Sequence, residues 1–123
     1  MHLAHDPAEP PAARTDFDAF LTVDIRVGRI VAVAAFPEAN KPAYQLTIDF
    51  GPGVGMRQSS AQITRHYTPD VLVGRMVAAV VNFAPRQIGK FMSELLTLGF
   101  PDAQGEVMLF APDHDVPIGA RLF

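Results

Sequence analysis

The chain has no cysteine and no tryptophan, and among its 123 residues no uncharged apolar run is long enough to cross a bilayer as a helix. Without cysteine there is no disulfide framework and no thiolate metal site. The opening residues, Met1-His2-Leu3-Ala4-His5-Asp6, lack the basic-then-apolar order of a secretory signal. The expected protein is therefore cytoplasmic, with no insertion into membranes. Charge of one sign is scarce as well: 10 Lys and Arg stand against 13 Asp and Glu, a formal net charge of -3. What is plentiful is apolar residues, at 49%, enough to bury the core of one domain of this length.

The overall acidity hides an uneven distribution. Residues 25–100 carry eight Lys and Arg against four Asp and Glu, a surplus of +4, while residues 1–24 and 101–123 sum to -4 and -3. A basic middle between acidic ends can hold phosphates locally, with weak and salt-sensitive binding. On charge alone, these cations also fit a solvated surface.

Along the chain, residues 1–14 include Pro7, Pro10 and Pro11, show no periodicity, and read as a flexible tail; the domain occupies residues 15–123. Thr15 with Asp18 resembles a capping box, and Phe17, Phe20 and Leu21 follow at helical spacing. That short amphipathic helix has to cover either the end of the core or a partner subunit. From Ile25 onward the pattern is of short strands. Ile25 to Ala34 is a long one whose alternation slips at Gly28, as at a bulge or a sharp coil. Tyr44, Leu46, Ile48 and Phe50 alternate with polar residues, and Met56 to Ala61 is a third, more polar strand. Gln62 to Gly74 reads as a helical connector restarting at Thr68-Pro69-Asp70. Arg75 to Phe83 and Ser93 to Phe100 make strands four and five, with Glu106 to Phe110 and Val116 to Phe123 as further extended pieces. Five principal strands with a helical connector between the third and fourth favour a small closed barrel, and the five-stranded OB-fold places its helix there. The predicted fold is all-β, with an N-terminal helix and a C-terminal extension added to that barrel.

Catalytic patterns are weak. Gly51-Pro52-Gly53-Val54-Gly55 is followed by a strand rather than a helix, and Pro52 has no N–H to offer an anion, so it reads as a hairpin turn. Ser59 or Ser60, His66 and Asp70 can be written as a triad, yet no nucleophile elbow accompanies them. His66 and His114 are isolated, Asp113-His114-Asp115 reads as a turn, and His2 and His5 have no partners in the tail, so neither a metal nor a cofactor is expected. Two stretches stand out instead. Arg57-Gln58-Ser59-Ser60-Ala61-Gln62 is polar on both strand faces, fitting an exposed edge or the lining of a polar groove. Asn82 to Gly99 runs through a loop with Arg86 and Lys90 into Ser93-Glu94, a loop suited to an anionic or extended ligand. Phe91 and Met92 in it can tuck under the barrel, make a dimer contact, or stack on a ligand.

Taken together, Asp24-Ile25-Arg26-Val27-Gly28, Phe36-Pro37-Glu38-Ala39, Leu46-Thr47-Ile48-Asp49-Phe50-Gly51, Ser59-Ser60-Ala61-Gln62-Ile63-Thr64 and Val81-Asn82-Phe83 with Pro85-Arg86-Gln87-Ile88 and Ser93-Glu94 resemble the CsaA family. That family lies within the wider group of tRNA-binding domains. The resemblance covers residues 16–123 in collinear order. It implies an OB-fold, a homodimer joined through parts outside the barrel, tRNA binding, and a chaperone-like role toward exported client proteins. The family's polar set falls on Asn82, Arg86, Ser93 and Glu94, with Arg57, Ser59, Ser60 and Gln62, and with Lys41 and Lys90 as phosphate contacts. The wider tRNA-binding pattern has a basic residue and then glycine where this chain has Gly89-Lys90, and Gly-Met after its serine where this chain has Leu95-Leu96. The expected protein is non-catalytic. Two functions compete: RNA binding, with Phe91 available to stack on a base, and capture of extended apolar peptides with Phe91 and Met92 as anchors.

Overall fold

The computed structural model describes residues 5–123; Met1 to Ala4, and with them His2 and the start of the expected tail, lie outside the described residues. The elements in chain order are α1 (Phe17–Leu21), β1 (Ile25–Ala35), β2 (Tyr44–Asp49), β3 (Met56–Ala61), α2 (Pro69–Leu72), β4 (Met76–Val80), β5 (Arg86–Ile88), β6 (Phe91–Ser93), β7 (Leu96–Thr97), β8 (Gly99–Pro101) and β9 (Val107–Leu109). Five strands form an antiparallel sheet in the order β3-β2-β1-β4-β7, with β5–β6 and β8–β9 as separate hairpins. This is the all-β, five-stranded OB-fold barrel, with α2 between the third and fourth strands as expected.

The core follows from strand periodicity. Leu46 and Ile48 point inward from β2 and are fully buried with Ile30 and Phe50, while β4 is buried along its whole length. Val77 and Ala79 of β4 belong to the core cluster, whereas Ala78 lines an apolar groove with Phe110 on the other face. Leu72 of α2 adds a fully buried side chain to the same cluster.

Three local expectations are corrected. The helix cap is Asp16, whose Oδ1 accepts the N–H of Ala19 at 3.0 Å, rather than Thr15. The irregularity in β1 falls between Ile30 and Ala32, where the register against β2 shifts, and not at Gly28. Gly28 meets a packing demand instead: a Cβ there would lie 2.5 Å from Ile48 Cγ2 and 2.8 Å from the Phe50 ring. The fifth strand expected over Ser93 to Phe100 is broken into β6, β7 and β8, and the preceding loop contains the β5–β6 hairpin. Ile88 pairs with Phe91 across Gly89-Lys90, and Gly89 takes φ +60. A two-residue turn with the positive angle at its first position requires glycine there, which accounts for the order Gly89-Lys90.

The C-terminal extension is a strand-like addition to the barrel. Gly119 donates to Val27 O, Val27 donates to Ala120 O, and Leu122 donates to Ile25 O. Gly119, at φ +89, approaches so closely that a Cβ would sit 2.6 Å from Phe50 O. Among the described residues no helix is long and apolar enough to cross a membrane.

Candidate nucleic-acid interface

In the ladder order β3 and β7 are the two free edges, and side-chain hydrogen bonds with one backbone bond, rather than a backbone ladder, stitch the seam between them. Ser59 Oγ lies 2.9 Å from Thr97 Oγ1 and within reach of Leu95 O. One residue on, Ser60 N donates to Ser93 Oγ at 3.0 Å. Glu94 N donates to Gln58 O, and Gln58 N donates back to Glu94 Oε1. Gln58 Nε2 completes the seam on Met92 O. The polar run of β3 is therefore the seam of the barrel. A seam built on side chains can tolerate the break after Ser93 that a continuous ladder could not, and it holds the β5–β6 hairpin beside β3.

Beside this seam runs a cleft of three adjoining hollows. The central one is lined by Lys41, Ser60, Gln62 and Arg86 over an apolar floor that includes Phe36 and Leu96. Toward β5 it shares Ser60 and Arg86 with a hollow that adds Ser93 and Phe83. In the other direction it shares Lys41 and Gln62 with a broader one of about 530 Å³, which adds Thr64, Arg65 and Glu106. That volume falls within the 300–1,000 Å³ typical of small-molecule sites.

Of the residues expected to bind RNA, the cleft brings together Lys41, Ser60, Gln62, Arg86 and Ser93. Ser59 is fully buried in the seam, and Glu94 is its clasp. Asn82 sits elsewhere: its Oδ1 accepts the N–H of Asp24 and its Nδ2 donates to Thr22 O, tying the end of α1 to the barrel. Arg57 Nε donates to Val54 O beside the β2–β3 turn. Lys90 lies in the exposed hairpin turn. Phe91 packs on Phe36 with ring centroids 5.2 Å apart, and Met92 is 39% exposed. Arg65 and Thr64 had no place in the expected set. Their signal was the continuation of polar residues past the end of β3, through Thr64-Arg65-His66.

The electrostatics divide cleanly. Arg26 and Arg121 share Asp24, and Arg29 reaches Asp115. Among the described residues no carboxylate lies within ion-pair distance of Lys41, Arg65 or Arg86. The cations of the cleft thus keep their charge available while those of β1 and the C-terminus are engaged by carboxylates. At the broad end His66 Nε2 meets Asp102 Oδ2 at 2.6 Å. That hydrogen bond, helped by the N–H of Glu106, holds the Asp102 carboxyl below its ordinary range. Among the described residues no group of three or more His, Asp or Glu is arranged to hold a metal.

Residues 25–121 match the family model described as "Putative tRNA binding domain". The chaperone CsaA of Bacillus anthracis str. Ames superposes with a TM-score of 0.83 at 46% identity, over 90% of this chain and 100% of that one. The CsaA chaperone of Picrophilus torridus gives 0.83 at 45% identity, over 89% and 100%. The chain belongs to the CsaA family of tRNA-binding domains. The match begins at β1 and runs to Arg121, so most of the C-terminal strand-like segment lies within the matched tRNA-binding domain and α1 precedes it. The same domain recurs inside larger proteins: the methionine–tRNA ligase of Parabacteroides distasonis is 32% identical over 97% of this chain. This CsaA-type chain spans only 17% of that ligase's length.

Proposed function

We propose that the protein is a non-catalytic, cytoplasmic, homodimeric tRNA-binding module whose cleft seats the phosphate backbone of RNA. The observation that carries this reading is the convergence of Lys41, Arg65 and Arg86, all without carboxylate partners, on a single cleft. Phosphate contacts supply affinity and position, and hydrogen-bonding groups such as Gln62 and Ser60 supply selectivity at sugars and base edges. The family and the tRNA ligases that contain the same domain support tRNA as the ligand.

A second role in holding extended client proteins, including exported ones, is supported by the apolar side of the same cleft. Phe83, 50% exposed, and Leu96 border the hollow near β5, with Met92 exposed close by. The two roles would compete for one surface.

Titration of mixed tRNA against the wild type and Arg86→Ala, at several salt concentrations, tests the first reading. Loss of one phosphate contact is expected to weaken binding several-fold and to lower the salt slope by about 1. Unchanged affinity would remove the cleft from consideration. An unfolded client added to the same titration displaces tRNA if the second role uses the cleft, and leaves it bound otherwise.

A further inference from the structure

To Lys41 and Gln62, which the family's polar set includes, the broad end of the cleft adds Thr64, Arg65 and Glu106, which it does not. Two cations, Lys41 and Arg65, line it with the amide of Gln62 and the hydroxyl of Thr64, and a single acid, Glu106, faces the same hollow. Its walls come from separate parts of the chain. Gln62, Thr64 and Arg65 belong to the connector after β3, and Gly105 and Glu106 to the turn between β8 and β9. Both walls are pinned. The connector is fixed at Tyr67, whose hydroxyl accepts the N–H of Leu109 at 3.0 Å and whose carbonyl accepts the Tyr44 hydroxyl at 2.8 Å. The turn is fixed by Asp102, whose Oδ1 accepts the N–H groups of both Gln104 and Glu106. One contact then ties wall to wall: His66, next to Arg65, reaches the free oxygen of that carboxylate, Oδ2.

We propose that this end of the cleft is a phosphate subsite for the RNA backbone, with Lys41 and Arg65 as its contacts, Glu106 limiting its affinity, and His66–Asp102 as the brace that sets the distance between its walls. It rests on the RNA reading above and deepens it, giving Glu106 and the His66–Asp102 pair a part in the same site. The ligand chemistry is a phosphodiester: two cations, an amide and a hydroxyl match a charged oxygen cluster, and the solitary acid keeps the attraction moderate, so that RNA can leave. His66 is a positioning residue. With Asp102 bound to it, both carboxylate oxygens are occupied and the turn carrying Glu106 is held against the connector carrying Arg65.

Binding of mixed tRNA to the full chain, measured over a salt series, separates these roles. Arg65→Ala is expected to flatten the salt slope by about 1. Glu106→Gln is expected to tighten binding several-fold, a gain that misfolding cannot mimic. His66→Ala is expected to weaken binding with the slope kept, to accelerate hydrogen exchange at the amides of Gln104 and Glu106, and to be rescued by His66→Gln, which restores an N–H donor. Inorganic phosphate at constant ionic strength is the second probe. If Arg65→Ala alters phosphate binding but not the tRNA slope, the occupant is not RNA and the proposal is overturned. If Arg86→Ala weakens tRNA binding while Arg65→Ala and Glu106→Gln leave it unchanged, the subsite is overturned and the RNA cleft stands. If the wild type binds no tRNA, both fall.

Discussion

The hydroxyl of Ser59 is fully buried and lies within hydrogen-bond distance of Ser60 O, Leu95 O and Thr97 Oγ1. Its neighbour Ser60 is half-exposed and lines two of the three hollows. Adjacent serines on a strand point to opposite sides, so one belongs to the seam and the other to the surface. Ser59→Ala should therefore cost about 1–2 kcal/mol of stability, because Thr97 and Leu95 lose a partner in a dry setting. It should leave tRNA affinity unchanged. Urea unfolding with a constant m-value checks the first part, and a titration below the transition checks the second. Motif correspondence alone could not separate these two serines, since it assigns both to the same polar set. Asn82 illustrates the same limit. An amide at the end of an apolar strand suits a ligand, but here it satisfies the backbone of Asp24 and Thr22, a pairing 58 and 60 residues distant in sequence that no local pattern announces.

At the scale of elements, alternation made β2 legible, continuous apolarity made β4 legible, and the proline-led restart located α2. What was not legible was the division of residues 82–101. Local signals there are short and mixed, and the break after Ser93 depends on Glu94 and Gln58 meeting across the barrel. The turn between β8 and β9 is a further element built on one side chain, and its stability should carry the titration of that side chain. Asp102 has its pKa lowered from the ordinary value of 3.8, chiefly by the hydrogen bond from His66 and then by the N–H of Glu106. A carboxylate with a depressed folded-state pKa adds stability that is complete above its unfolded value and disappears as pH falls through the folded one. The stability difference between wild type and Asp102→Asn should accordingly be present near neutrality and shrink as the pH drops below 3.8. Thermal unfolding of the pair across that range measures it; a difference that persists in strong acid would mean that the carboxylate's charge is not what holds the turn.

For the whole molecule, the question is what covers the apolar surface left outside the barrel. Phe17 of α1 is 66% exposed, Phe100 of β8 is 61% exposed, and Phe123 is fully exposed. Phe100 stacks edge-on against Phe110 at 5.6 Å, and Phe110 shares an apolar groove with Val116, Leu122 and Phe123. Arg121 Nη2 donates to Leu21 O and so ties α1 to the same C-terminal segment. Exposed apolar side chains on two additions to a barrel, beside an apolar groove, offer a surface for association. Asp24, shared by Arg26 and Arg121 beside this groove, lowers the repulsion that two free cations would bring to each copy. Light scattering should then give twice the 13.3 kDa of one chain. Phe100→Asp, at a side chain that packs chiefly against Phe110, should return the mass to that of one chain while far-UV circular dichroism stays unchanged. In a dimer whose two clefts engage one RNA, the same substitution should lower tRNA affinity by about tenfold or more without altering the cleft itself. A wild-type chain that stays monomeric at micromolar concentration, or a monomeric variant that binds tRNA as tightly as the parent, would remove the dimer from the binding mechanism.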